Sequence, residues 1–293
     1  NFLELVMVVY LNGAFLPKSE ALISPDDRGF LLADGVYEVT RSYDGYLFAL
    51  DRHLGRLKRS LKELQIRQPD VDSAQVSRDL LVKNNMTGDA IVYLQVTRGV
   101  APRVHAFPKG DVTPTVYGYT VPFKTEPEKW EQGVAVVTAP DMRWARCDIK
   151  SVALLPNVLA QQRAQEAGVE EAILIRDGVV TEGAHTSVCG VFDGVLFTHP
   201  DSNYVLPGIT RGIVLELCEV LEIPVRLFPI MERKLYEVDE LMILGTGSEV
   251  MPVVEVDGRI VGDGKPGAVT MRLQEAYKKM VANEMKGVKD GVI

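Results

Sequence analysis

Short runs rich in β-branched and aromatic residues recur through the first 120 residues and predict β-strands. Asp44-Gly45 between two of these runs is a sequence typical of a tight hairpin turn. The predicted strands of this half are Val8–Asn12, Val36–Tyr43, Tyr46–Leu50, Ala90–Arg98 and Thr115–Thr120.

Two segments between these strands have the spacing of amphipathic helices. Leucines separated by three and four residues, at positions 54, 57, 61 and 64, give one apolar face to a helix running to about Gln65. Asp51 precedes this pattern and is expected to cap it. A second helix is predicted over Ser73–Asn84.

Residues 121–130 contain two prolines and several charges, which is typical of a linker. We therefore predict a mixed α/β fold with an N-terminal domain over 7–120, this linker, and a larger C-terminal domain over 131–293. The elements predicted for the second domain are strands at Val134–Thr138, Ala172–Arg176, Val188–Phe192 and Val195–Thr198, and helices at Asn157–Ala167, Arg211–Leu221 and Ala268–Ala282.

Composition narrows the class of protein. Of the 293 residues 46% are apolar and 25% charged, which indicates a globular chain. The net charge of −8 argues against nucleic acid or an anionic membrane as the main partner, although small anionic ligands remain possible. No apolar run reaches the roughly 20 residues that span a bilayer. Asn1–Val6 lacks the features of a signal peptide, and Met7 is expected to be the natural start.

The three cysteines, Cys147, Cys189 and Cys218, form no Cys-x-x-Cys motif and no spacing with histidine that fits zinc. An odd number of cysteines in a chain of this length predicts reduced thiols and a cytoplasmic location. No metal site is expected.

Two charged residues are candidates for catalysis. Lys150 follows a strand-like start and has small and apolar neighbours, so burial could lower its pKa and permit Schiff-base chemistry, although a single lysine is usually a solvated surface charge. Glu182 ends a strand-like run before Gly183. A carboxylate there could keep a pyridine nitrogen protonated, and the alternative is a hydrophilic turn.

Two glycine-containing segments could bind phosphate. Gly208 precedes a helical pattern, and the backbone N–H groups of Ile209 and Thr210 would point out of the start of that helix, which Thr210 could cap. The segment from Gly245 to Ser248, which contains Thr246, could form a second wall. An ordinary cap and an ordinary turn are the alternatives.

Two basic elements of the first domain could bind anions. Arg56 interrupts the apolar face of the first helix and could fork onto a phosphate. The segment Arg98–His105 closes a strand, and its proline turn holds Arg103 and His105 two residues apart, which would suit a carboxylate clamp or an exposed basic loop.

Several of these segments, in this order, resemble the class IV aminotransferases, also called fold type IV enzymes of pyridoxal 5'-phosphate (PLP). The resemblance extends from Met7 to about Gln274 and is to the bacterial D-amino-acid aminotransferases in particular. The matching stretches are Asp27–Val39, Arg98–His105, Arg146–Lys150, Thr181–Gly183, Gly208–Arg211 and Asp239–Pro252.

The resemblance implies a role for each candidate. Lys150 would hold PLP as a Schiff base and shuttle the proton, and Glu182 would pair with the pyridine nitrogen. The implied phosphate ligands are Arg56, Ile209, Thr210 and Thr246, and Leu206 would pack against the cofactor ring. The implied substrate-binding residues are Tyr37, Val39, Arg103 and His105.

The resemblance also implies a fold and an assembly. The expected fold is a small N-terminal α/β domain and a larger C-terminal domain with a barrel-like sheet. In the D-amino-acid enzymes the Arg and His come from the neighbouring subunit, so a homodimer is expected. The implied reaction is ping-pong transfer of an amino group between a D-amino acid such as D-alanine and a 2-oxo acid such as pyruvate or 2-oxoglutarate.

Two segments depart from the family pattern. Ala184–Ser187 replaces a run of serines and an asparagine, and Gly245 stands where a hydroxyl residue is usual, which removes a phosphate hydrogen bond of about 1–3 kcal/mol. Two alternatives within the class, a branched-chain L-aminotransferase and an (R)-amine transaminase, share the lysine and glutamate. A PLP lyase of the same fold is a further alternative. A non-catalytic PLP-binding protein is the alternative from another class.

Overall fold

The computed structural model describes residues 7–289, so the residues before the expected start at Met7 lie outside the described part. The chain packs into two compact units. One contains the described residues up to Thr125 together with Ile149–Ala153, and the other contains Glu126–Asp148 and the described residues from Leu154 onward. The division after Thr125 falls within the segment 121–130, and the short segment that carries Lys150 packs with the N-terminal unit.

A six-stranded antiparallel sheet forms the centre of the N-terminal unit, in the strand order β2-β1-β6-β5-β3-β4. The five predicted strands are confirmed with small shifts at their ends, and β2 is an additional strand. The strands are β1 (Val8–Leu11), β2 (Ala14–Pro17), β3 (Gly35–Tyr43), β4 (Tyr46–Leu47), β5 (Ala90–Thr97) and β6 (Thr115–Pro122).

The helices of this unit are α1 (Arg28–Leu32), α2 (Leu50–Glu63) and α3 (Ser73–Lys83). Leu57 and Leu61 of α2 pack with Leu80 of α3 in a core that also contains apolar side chains of the sheet. The predicted cap of α2 is wrong. Its N-cap is Ala49, in a left-handed conformation with no side-chain cap, because β4 ends early and places Asp51 inside the first turn.

A nine-stranded mixed sheet forms the C-terminal unit, with the order β12-β11-β10-β13-β14-β7-β8-β9 and β15 paired to β14. Since β9 also lies beside β10, the sheet curls back on itself, in agreement with the expected fold class. The strands are β7 (Val134–Pro140), β8 (Glu171–Arg176), β9 (Val179–Gly183), β10 (Ser187–Phe192), β11 (Val195–Thr198), β12 (Val225–Leu227), β13 (Glu240–Gly245), β14 (Glu249–Val256) and β15 (Arg259–Ile260).

Four α-helices are described in this unit, and three of them were predicted. They are α4 (Pro127–Gln132), α5 (Leu155–Glu166), α6 (Ile209–Val220) and α7 (Ala268–Lys289). The unpredicted helix α4 lies largely within the segment interpreted as a linker. Its proline occupies the first turn, where a missing N–H costs nothing, and Trp130 is buried in the core of the unit.

Three further findings concern the function classes. No helix within residues 7–289 is long and apolar enough to cross a membrane. In the same part of the chain, no three His, Cys, Asp or Glu side chains are grouped so that they could hold a metal ion. Cys147, Cys189 and Cys218 are free thiols and are buried.

Candidate active site

Lys150 is fixed by its backbone to an edge of β3. Its carbonyl oxygen accepts a hydrogen bond of 3.0 Å from the N–H of Tyr37, and its own N–H donates to the Ser60 hydroxyl at 3.3 Å. The neighbouring Ser151 forms an antiparallel bridge with Val36. The Lys150 side chain is partly buried, with Nζ 4.4 Å from the centre of the Tyr37 ring. The backbone is thus held rigidly while the amine lies at the face of an aromatic ring.

Arg56 of α2 is paired with Glu38, the residue that follows Tyr37 on β3. The Arg56 guanidinium donates to both Glu38 oxygens, at 2.7 and 2.9 Å, and His53 Nδ1 lies 2.9 Å from the second. Burial alone would raise the pKa of Glu38, but Arg56 and His53 together lower it to about 2. The carboxylate therefore stays ionised and fixes the direction of the Arg56 side chain.

The sheet face that carries Tyr37 is lined with aromatic side chains. Tyr37 and Val39 of β3 lie on the same face as Tyr93 of β5, which stacks on Tyr37 with ring centres 5.5 Å apart. Tyr93 also stacks on Tyr119 at 4.9 Å and donates to Gln95 at 2.7 Å. Burial raises the pKa of Tyr93, so its hydroxyl remains protonated and available as a donor.

Arg103 and His105 lie on the loop between β5 and β6 and are both exposed. Two buried arginines anchor this loop. Arg28 donates to the Val104 carbonyl at 2.7 Å, and both Arg28 and Arg98 form ion pairs with Asp34, at 2.8 and 2.7 Å. The structure therefore does not bring Arg103 and His105 together with Lys150 through contacts within the N-terminal unit.

Glu182 is buried near the end of β9, in the C-terminal unit. One carboxylate oxygen accepts the Leu206 N–H at 3.0 Å, and the other pairs with the Arg143 guanidinium. Burial raises the pKa of Glu182, while Arg143 and the Leu206 N–H act in the opposite direction. The structure thus links two predicted residues, Glu182 and Leu206, and adds a third, Arg143.

The start of helix α6 has the form expected of an anion site. Gly208 is its N-cap, no side chain caps it, and Ile209 and Thr210 are its first two residues. A Cβ at Gly208 would lie 2.6 Å from the Ser187 hydroxyl, so the backbone is closely approached there. The expectation that Thr210 caps this helix is wrong, because Thr210 lies within its first turn and is buried.

Thr246 follows β13 directly and is partly buried. Its hydroxyl makes no hydrogen bond to any of the described residues, and the backbone at Gly245 leaves room for a Cβ at 3.4 Å from Thr186. The Thr246 hydroxyl can therefore donate a hydrogen bond to an acceptor atom of a bound ligand.

The turn that departs from the family pattern, Ala184–Ser187, is held by the buried carboxylate of Glu171. This carboxylate accepts from the Ala184 N–H at 3.1 Å and the Thr186 hydroxyl at 3.0 Å, and it pairs with His185 Nδ1 at 2.9 Å. Burial would raise the pKa of Glu171, but these partners lower it. The side chains of His185 and Thr186 therefore have partners within their own unit.

Glu38, His53, Glu171 and Arg143 belong to these networks and were not singled out in the sequence. Glu38 could have been found from the sequence, because it alternates with Val36 and Thr40 on the buried side of β3. A buried carboxylate needs a cationic partner. Arg143 left no comparable signal, since it lies outside any regular element and its partners include residues of a distant strand.

The model of the family described as amino-transferase class IV matches residues 35–256, and this chain belongs to that family.

Curated relatives share the sequence over nearly its whole length. The chain is 43% identical to the D-alanine aminotransferase of Bacillus licheniformis, covering 95% of this chain and 98% of the relative. It is 42% identical to the D-alanine aminotransferase of Staphylococcus haemolyticus, over 93% and 97% of the two chains.

Solved structures share the fold. The branched-chain amino acid aminotransferase of Escherichia coli superposes with a TM-score of 0.86 at 28% identity, covering 94% of each chain. The branched-chain amino acid aminotransferase of Thermobaculum terrenum, in its PLP form, gives a TM-score of 0.81 at 26% identity, over 95% of this chain and 94% of that one.

Proposed function

We propose that this protein transfers an amino group between a D-amino acid, such as D-alanine, and a 2-oxo acid. The observation that carries the proposal is the 43% identity to a D-alanine aminotransferase over 95% of the chain. The reaction is ping-pong, because one cofactor must accept the amino group from the first substrate and deliver it to the second.

The cofactor proposed is PLP, and the residues present fit it. The uncapped start of α6 offers the N–H groups of Ile209 and Thr210 to a phosphate, and the Thr246 hydroxyl has an open partner position. Glu182 is a buried acceptor for a ring N–H, and Leu206 is its backbone neighbour. When bound, PLP supplies an electron sink for the carbanion formed at the substrate Cα.

The remaining roles follow from the family resemblance and the local contacts. Lys150 attaches the cofactor and moves the proton at the substrate Cα, while hydrogen bonds to Tyr37 and Ser60 hold its backbone in place. Arg56 is a phosphate ligand whose direction is set by Glu38. Tyr37 and Val39 line the substrate from the aromatic sheet face.

Arg103 and His105 are proposed to bind the substrate carboxylate in the neighbouring subunit of a homodimer. Their exposure and the rigid anchoring of their loop support this, because a clamp that acts on another chain must project from its own. Apolar side chains that are about half exposed on the same loop, Val104 and Phe107, are suited to burial in such a contact. A cytoplasmic location is proposed on the three free thiols.

A branched-chain L-aminotransferase is the second candidate, and the TM-scores of 0.86 and 0.81 to two such enzymes favour it. The deciding experiment is single-turnover absorbance spectroscopy of the PLP-loaded protein with D-alanine, L-leucine and (R)-1-phenylethylamine in turn. We expect rapid loss of the cofactor band with D-alanine. Rapid loss with L-leucine and none with D-alanine would overturn the proposal.

Lys150→Ala is expected to lower the rate of transamination by roughly 10⁴-fold, because it removes both the attachment point and the proton carrier. The measurement is D-alanine-dependent formation of pyruvate with 2-oxoglutarate as acceptor. Lys58→Ala is the matched control, since Lys58 is an exposed lysine of α2. Equal activity of the two variants would remove Lys150 from its proposed role.

A further inference from the structure

Arg143 lies in the segment after β7, three residues beyond its last residue, Pro140. The preceding Asp141 is tied to the sheet by its N–H, which donates to the Ile175 carbonyl at 2.8 Å. The side chains of Arg143 and Asp141 are both buried, at 7% and 0% exposure. Removing the charge of an arginine from water costs free energy unless the guanidinium is fully paired, so Arg143 is expected to have anionic partners.

The Arg143 guanidinium pairs with two carboxylates, those of Asp141 and Glu182. Nε and Nη2 donate to the two oxygens of Asp141, at 2.9 and 2.8 Å, in a bidentate pair. Nη1 pairs with Glu182, and Nη2 also donates to the Tyr204 carbonyl at 3.1 Å. Since the bidentate pair fixes the plane of the guanidinium, Asp141 decides where the third nitrogen points.

Asp141 is in turn braced by two other side chains. The Thr181 hydroxyl donates to it at 2.9 Å, and Arg176 pairs with it at 3.1 Å. Thr181 is adjacent to Glu182, so the residue that holds Asp141 and the carboxylate that pairs with Arg143 lie on the same strand, β9. A continuous set of contacts therefore runs from Thr181 on β9 through Asp141 and Arg143 to Glu182. We call these residues, with Arg176, the Arg143 cluster.

The hydrogen bonds to Glu182 leave capacity for one more partner. A carboxylate has about four lone-pair positions, and here one oxygen accepts Arg143 and the other the Leu206 N–H. An ionised carboxylate can only accept, so a ring nitrogen that meets it must carry a proton. A carboxyl neutralised by burial could donate instead and leave the ring nitrogen unprotonated, which would weaken the electron sink.

We infer that Arg143 is a positioning residue of the proposed reaction, which keeps the Glu182 carboxylate ionised and oriented toward the nitrogen of the cofactor ring. The inference rests on the proposed function. Asp141 acts one step further away, by setting the orientation of Arg143.

The test is a double-mutant cycle of Arg143→Gln and Glu182→Gln, with two readouts. One is the Kd of the apoprotein for PLP from fluorescence titration, and the other is the pH dependence of the absorbance of bound PLP. We expect Arg143→Gln to weaken PLP binding about 10–100-fold, the value of a charge-assisted hydrogen bond, and to shift the pH dependence of the band. In the Glu182→Gln background, Arg143→Gln should add less than about twofold, because the two residues act as one unit.

Two further variants separate positioning from folding. Arg143→Lys keeps the charge without the fork, so it should weaken PLP binding while leaving the pH dependence of the band near that of the wild type. Arg163→Gln changes an exposed arginine of α5 that does not belong to this cluster, and it should leave both readouts unchanged.

The outcomes distinguish this inference from the proposed function. Additive effects of Arg143→Gln and Glu182→Gln, or an unchanged pH dependence in Arg143→Gln, would overturn the role of Arg143 alone. A wild-type protein that binds no PLP would overturn the proposed function instead.

Discussion

Glu38 accepts hydrogen bonds from two side chains of the same helix, and it is buried on the core side of β3. Replacing it with glutamine would leave the Arg56 charge buried and only partly compensated. We expect Glu38→Gln to lower the free energy of unfolding by about 3–5 kcal/mol, measured by urea denaturation at pH 7. The exposed pair Arg67–Asp111 offers a control, since Asp111→Asn should change the same quantity by no more than about 1 kcal/mol.

The pH dependence of this effect has a defined sign. The pKa of Glu38 is lowered from 4.5 to about 2, so its ionised form stabilises the folded protein fully above the unfolded pKa. This contribution is lost as the pH falls from 4.5 through about 2. Unfolding curves collected across that window should show a steeper loss of stability for the wild type than for Glu38→Gln, and parallel slopes would contradict the assignment.

The loop between β5 and β6 depends on a close approach of two backbone segments. Gly99 has a φ of +98°, and a Cβ there would lie 2.0 Å from the Thr113 carbonyl oxygen. We expect Gly99→Ala to lower the free energy of unfolding by about 1–3 kcal/mol and to raise the KM for D-alanine, because the same loop carries Arg103 and His105. Steady-state kinetics and urea denaturation measure the two effects.

Gly110 in the same loop gives a matched control. Its φ is also positive, at +87°, but a Cβ there would meet no atom within 4 Å. Gly110→Ala should therefore carry the backbone strain without displacing the loop, and its KM for D-alanine should stay near the wild-type value. Similar KM values for the two variants would show that the close approach at Gly99 does not position the clamp.

At the scale of the whole molecule, the proposed homodimer predicts complementation between two inactive chains. Arg103→Ala and Lys150→Ala chains are denatured, mixed in equal amounts and refolded together. If Arg103 serves the neighbouring subunit, each mixed dimer contains one complete site, and the mixture should recover about a quarter of the wild-type activity. Each variant refolded alone should stay near its own low activity.

The alternative arrangement gives a different result. If Arg103 acted within its own chain, no mixed dimer would contain a complete site, and mixing would recover nothing. Light scattering on the refolded mixture verifies that dimers have formed, so that the absence of recovery can be assigned to Arg103.

Local patterns predicted most of the elements that carry the site. The strand at Val36–Tyr43 and the helix after it were predicted from period and turn signals, because their apolar faces repeat over many residues. Short elements such as β2 and α4 were missed, since four to six residues contain too few repeats to define a period. The caps of α2 and α6 were predicted wrongly, because a cap depends on the exact residue at which the preceding strand or loop ends.

The sequence by itself determined the fold class, the family resemblance and the candidates Lys150 and Glu182, because these depend on residue type and order along the chain. Only the tertiary structure decided their partners. Arg143 and Asp141 pair with residues up to 40 positions away, and Glu38 with residues 15 and 18 positions away. Ion pairing acts over a few ångströms in space, and strand pairing rather than sequence distance decides which charges come that close.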